Sequence, residues 1–115
     1  MASPHGISLQ ITIHIDPKNV DEFFKHFKPL YDLVCAEPEL HFFEVYQSRE
    51  DPGTLSWVEH WNCTVEWLQE VQLKKEYLHE FLAVTAPLYL GPREAVIRNR
   101  MGPPYSVWKD AVTKA

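Results

Sequence analysis

Ile7-Ser8-Leu9-Gln10-Ile11-Thr12-Ile13-His14-Ile15 alternates without a break: Ile7, Leu9, Ile11, Ile13 and Ile15 fall on one phase, Ser8, Gln10, Thr12 and His14 on the other. A period of two over this length predicts a β-strand with one apolar and one polar face. Asp16-Pro17 ends it, because proline has no N–H to give to a ladder. The period then changes. Val20, Phe23, Phe24, Phe27, Leu30, Tyr31 and Val34 recur at helical spacing, and Asn19 is placed to cap that helix with Glu22 as its box partner. Pro29 inside the pattern cannot donate to the Lys25 carbonyl, so a kink is expected there. Glu37-Pro38 closes the helix.

Further along, Leu40 to Ser48 reads as a second strand, Arg49 to Thr54 with Asp51-Pro52-Gly53 as a turn, and Leu55 to Trp61 as a third strand. Thr64 is positioned to cap a second helix over Val65 to Leu90, stopped by Gly91-Pro92. Ala95 to Arg100 is a fourth short strand. The order β-α-β-β-α-β predicts an α+β, ferredoxin-like domain: a four-stranded antiparallel sheet with both helices on one face. Residues 1–100 carry it. Residues 101–115 form a tail, with a turn expected over Val107 to Val112.

One face of such a sheet is bare in a monomer and should be polar. Counting from Leu40, strand two carries Leu40, Phe42 and Tyr46 on one phase, Phe43 and Val45 on the other. Strand three sets Leu55, Trp57 and Trp61 against Val58. Neither phase is polar throughout, which predicts two sheets packed face to face in a homodimer.

The chain has 115 residues, room for one domain, with 45% hydrophobic and 23% charged residues. A net charge of -5 provides no basic footprint for nucleic acid. No apolar run approaches the ~20 residues of a membrane span, and MASPHGISLQ does not read as a secretory signal, so the cytoplasm is the expected compartment. Cys35 and Cys63 make no disulfide framework and are expected as small buried hydrophobes. No His-x-His, His-Glu-x-x-His or Cys/His cluster suggests a metal site, and no Gly-rich loop follows a strand. The excess is aromatic: 4 Trp, 5 Tyr and 6 Phe. Rings in such number call for a core, a ligand cavity or a partner interface.

Ala36-Glu37-Pro38, the strand end Glu59-His60-Trp61, and Tyr77-Leu78-His79-Glu80-Phe81-Leu82 resemble the antibiotic biosynthesis monooxygenase domain. The resemblance spans roughly Ile7 to Arg100. It implies two sheets paired into a dimeric α+β barrel. The branch that looks most similar is the cofactor-free anthrone-type monooxygenases of polyketide pathways, with the likeness continuing through Gly91-Pro92-Arg93-Glu94-Ala95-Val96. In that branch the substrate lies between sheet and helices. Its strand-three tryptophan falls on Trp61 and a basic residue of its second helix on His79. Its proton-relaying tyrosine falls on Trp67 and its strand-three asparagine on Trp57, two departures that bear on the relay rather than on the cavity. Haem degradation by the same fold uses a strand-one asparagine in its best-known branch, and strand one here has none.

Dioxygen is a triplet and reacts slowly with closed-shell organic molecules. A cofactor-free oxygenase makes the substrate the electron donor by removing an acidic proton. That requires a base, a dry aromatic pocket and a donor for the developing oxyanion. Histidine suits the base role. The matched position selects His79 first, with His14 second. Trp57, Trp61 and Trp67 are the candidate substrate-binding rings. Glu59, between two tryptophans on one phase, reads as a residue paired with Arg98 or Arg100, bonded to a neighbouring indole, or orienting a histidine. Trp108 is expected to pack on the dimer partner or to lid the pocket. The leading expectation is a cofactor-independent monooxygenase of secondary metabolism acting on a small apolar or polycyclic aromatic substrate with O2. The alternative is a non-catalytic binding or dimerisation module on the same barrel.

Overall fold

The structure is a computed structural model and describes residues 5–109. Four strands, β1 (Ile7–His14), β2 (Leu40–Gln47), β3 (Thr54–Trp61) and β4 (Glu94–Asn99), form one antiparallel sheet in the order β2-β3-β1-β4. Helices α1 (Val20–Cys35), α2 (Val65–Glu70) and α3 (Glu76–Thr85) connect them. This is the expected α+β, ferredoxin-like arrangement. The turn expected over Val107 to Val112 and the end of the tail lie partly outside the described residues.

β1 is hydrogen-bonded on both sides, and its alternation sorts the whole sheet. Ile7, Leu9, Ile11 and Ile13 stand opposite Trp61, Glu59, Trp57 and Leu55 of β3. All eight are buried, and Phe23, Phe27, Leu30 and Val34 of α1, Leu68 of α2 and Phe81 of α3 complete that side. Rings meet at its centre: Phe27 lies 5.0 Å from Trp57, 5.3 Å from Phe23 and 5.9 Å from Phe81. Burying such a side chain stabilises the fold by about 1.5–3 kcal/mol, so this cluster anchors α1 and α3 to the same face.

The structure departs from expectation in several places. The second helix is not continuous: Val71 and the turn Gln72–Lys74 interrupt it, and Lys75 is extended (ψ 143°) before α3 begins. No glycine or proline marks this break. Its cause is tertiary, since Lys75 and Tyr77 both reach Glu37 at the end of the first crossover. In β2 an extra residue at His41 shifts the register, so Leu40 pairs with Trp61 on the helix side while Phe42 pairs with His60 on the outer side. Asn19 holds the α1 cap position without a side-chain bond. Asp16 caps the turn before it, accepting from the Lys18 N–H at 3.0 Å. α1 runs unbroken through Pro29. Cys35 is exposed: it follows Val34, and one helical step of about 100° carries it off the buried stripe.

Candidate active site

Trp57, Glu59 and Trp61 are two residues apart on β3, and all three therefore point to the helix side. Glu59 is buried. Its Oε2 accepts from Trp57 Nε1 at 3.1 Å and its Oε1 from Trp61 Nε1 at 3.0 Å. One strand thus supplies a carboxylate and a donor for each of its oxygens. Burial pushes the Glu59 carboxyl up from 4.5 to about 7, against the pull of the two indole N–H groups and of the Arg93 charge. Arg98 and Arg100 are not its partners; Arg98 Nε donates to Gln10 on the outer face and Arg100 to the His5 carbonyl.

Glu59 and Trp57 line a small, partly open cavity of about 30 Å³ between sheet and helices. Leu9, Phe43, Leu78 and Phe81 contribute apolar wall, while Gln72 and Arg93 add polar groups. That volume suits a water or a dioxygen molecule. Beside it lies an open groove of about 420 Å³ between α1 and β2, floored by Phe24, Phe27, Tyr31 and Val45. Phe43 lines both spaces. It is the cross-strand neighbour of Glu59 and packs edge-on against Tyr31 at 4.7 Å.

A polar chain leads away from the cavity. Gln72 Nε2 donates to the Tyr77 hydroxyl at 2.6 Å, and that hydroxyl donates to Glu37 Oε2 at 2.8 Å. Lys75 Nζ donates to the same carboxylate. Burial works against the Glu37 charge, but the Lys75 and Tyr77 bonds outweigh it and hold the carboxyl below its ordinary range. Burial pushes the Tyr77 hydroxyl up to about 12, with Glu37 adding to the effect against Gln72. Among the described residues no group of three or more His, Cys, Asp or Glu is placed to hold a metal ion. No described helix is long and apolar enough to cross a membrane.

The family model for antibiotic biosynthesis monooxygenases matches residues 6–62, which hold β1, α1, β2 and β3. A curated relative from Pestalotiopsis microspora, named "Putative monooxygenase GME11364", is 33% identical over 96 residues, 84% of this chain and 80% of that protein. The chain belongs to the antibiotic biosynthesis monooxygenase family. Solved structures agree on the fold. A conserved protein of Methanosarcina mazei Go1 superposes with a TM-score of 0.76 at 21% identity, covering 84% of this chain and 94% of its own. A protein described as an antibiotic biosynthesis monooxygenase gives 0.74 at 14% identity, covering 84% and 99%.

Of the residues expected at the site of this family member, Trp57 and Glu59 line the cavity, and Trp61 supports Glu59 from full burial. Trp67 lies 6.3 Å from Trp61 and borders a separate open groove with Cys63 and Thr64. His79 is exposed on α3 and is absent from the cavity wall. His14 stands on the outer face, where Nδ1 meets Thr54 Oγ1 at 2.9 Å and Nε2 meets Glu94 Oε2 at 3.0 Å. Both its ring nitrogens are engaged. Trp108 does not lid the cavity: it lies against Phe42 at 4.9 Å on the outer face of its own chain. Gln72, Arg93 and Phe43 escaped the sequence reading. Gln72 left one signal, a polar residue four positions after Leu68 on the buried helical stripe.

Proposed function

We propose that the protein is a cofactor-independent monooxygenase of secondary metabolism in which Glu59 is the base. The observation that carries this reading is a buried carboxylate, held to about 7 and set in the wall of an apolar cavity. A base of that strength is half ionised near neutral pH, where proton transfer is most effective. The substrate is a small apolar or polycyclic aromatic molecule with an acidic CH2. Its ring occupies the α1–β2 groove with Phe43 turned aside, and O2 takes the cavity. Glu59 removes one proton, becoming neutral in surroundings that favour neutrality. The carbanion passes an electron to O2, and the two radicals recombine to a peroxide. Loss of the second C–H proton with O–O cleavage leaves a carbonyl and releases the other oxygen atom as water. Arg93 stabilises the negative charge that develops on oxygen. The bare sheet face, with Phe42, Val58 and Val96 among its side chains, pairs with a second copy to make the homodimer.

Oxygen consumption tests this across a panel of anthrones, quinols and oxylipin-like acids without added flavin or haem. Uptake is expected with the wild-type chain. Glu59→Gln should lower it by about 10²–10⁴-fold while the circular dichroism spectrum stays native. Loss in His79→Ala with retention in Glu59→Gln would return the base to His79. No uptake with any compound would favour the binding module.

A further inference from the structure

The cavity beside Glu59 has two ends, at opposite edges of the sheet. Phe43 of β2 closes one of them, where the α1–β2 groove begins. Arg93 stands at the other. It immediately precedes β4 and lies two positions before Ala95, the partner of Ile11, so it shares the helix side with them. In the strand order β2-β3-β1-β4 the two edges are separated by roughly 14 Å. Among the described residues of the cavity wall, only Leu73 and Arg93 are exposed. Leu73 is 37% exposed. Phe43 is half-buried, with its ring packed edge-on against Tyr31 and Phe27. The cavity therefore meets solvent at Leu73 and Arg93, and a ring stoppers the end that faces the groove.

The two ends suit different reactants. The groove is floored by rings and holds about 420 Å³, whereas the mouth at Leu73 leads into a space of about 30 Å³. A flat ring seated in the groove covers that route, so a second reactant following it would be shut out. O2 is small, neutral and apolar. It loses little on leaving water for a passage walled by Leu73, Leu78 and Leu82. An arginine at such a mouth lays its alkyl stem along the wall and keeps its charge in water. Gln72, next to Leu73, adds a buried amide oxygen without a hydrogen-bond partner to this end, an acceptor for a departing water. We infer that O2 enters, and the water formed leaves, between Leu73 and Arg93, while the organic substrate comes and goes by the groove. The inference rests on the monooxygenase reading of the Glu59 cavity. The two reactants then meet at Glu59 from opposite edges of the sheet. Leu73 sets how fast oxygen arrives, and Phe43 keeps the routes apart until the ring is bound.

Quenching of tryptophan phosphorescence by dissolved O2 tests the route in the full chain with no organic substrate present. Trp57 and Trp61 are buried on the helix side, and Trp57 lines the cavity. The long-lived emission of this pair reports how fast oxygen reaches it. Leu73→Phe, which narrows the mouth, should lower the bimolecular quenching constant severalfold, and Leu73→Ala should raise it severalfold. Val45→Phe, which fills the groove, should leave it unchanged. If Leu73→Phe fails to fold, Leu73→Ala decides alone. The second measurement is oxygen uptake with any anthrone or quinol that the wild type consumes. Leu73→Phe should raise the KM for O2 severalfold and leave the KM for the organic compound unchanged; Val45→Phe should do the reverse. Quenching indifferent to both Leu73 variants overturns the proposal, as does a Val45→Phe chain that slows quenching as much as Leu73→Phe. Quenching that follows Leu73 in a protein that oxidises no compound overturns the monooxygenase reading and leaves the opening standing as a gas passage. Oxidation with a KM for O2 that ignores Leu73 does the opposite.

Discussion

Glu59 and His60 are neighbours on β3 and face opposite sides of one sheet. The carboxylate on the helix side is served by two indoles of its own strand. The imidazole on the outer side has its Nδ1 buried with no hydrogen-bond partner. Burial, then the Arg100 and His41 charges, depress the His60 pKa, and its ring rests against Phe42 at 4.8 Å. On the inner face both carboxylate oxygens find donors within one chain. The outer face carries half-buried apolar and polar groups together, as a surface awaiting a partner does. The difference teaches where each kind of change will be felt: at Glu59 in protonation, on the outer face in association.

The largest expected effect is on stability as a function of pH. The folded state raises the Glu59 pKa from 4.5 to about 7, so the unfolded chain gives up this proton first as pH rises. Glu59 therefore stabilises the fold fully below about pH 4.5, and that contribution, on the order of 3 kcal/mol, is lost on rising to about pH 7. Urea denaturation at a series of pH values measures it, and Glu59→Gln should flatten this part of the curve. A wild-type curve already flat there would break the contrast between the faces. Next comes Val58→Asp, which places a charge at the centre of the outer face. It should loosen the proposed homodimer by about 2–3 kcal/mol and leave the monomer's fold intact, as sedimentation velocity and circular dichroism would show. Smaller still is Trp61→Phe. Losing one indole donor costs about 1–2 kcal/mol and moves the pH midpoint of oxygen uptake upward, because the ionised carboxylate loses a bond. A midpoint that moves down would mean that the indole serves the neutral acid.

Much of this was legible in the sequence. The β1 alternation sorted both faces of the sheet, and Trp57-x-Glu59-x-Trp61 placed three side chains on one phase before any coordinate. The rest depended on contacts between distant residues. The break at Val71–Lys75 has no local signature, because Glu37, some 38 to 40 positions earlier, holds Lys75 in extended backbone and Tyr77 at the start of α3. Gln72 acquires its unpaired oxygen only through that chain. The exposure of His79 was readable: Leu78, Phe81 and Leu82 form the inward stripe of α3, and position 79 turns away from it. The resemblance to the family outweighed that periodicity.

The bulge at His41 acts as a length buffer. Crossover and strand meet there, and the residue that has no partner opposite it is the one that can be gained or lost. Deleting His41 would shorten the path from α1 to β2 without moving Phe43 off Glu59, whereas a deletion three residues later would exchange the two faces of the strand. Relatives whose first crossover differs by a single residue can therefore keep the same site, with the difference in length absorbed at its edge.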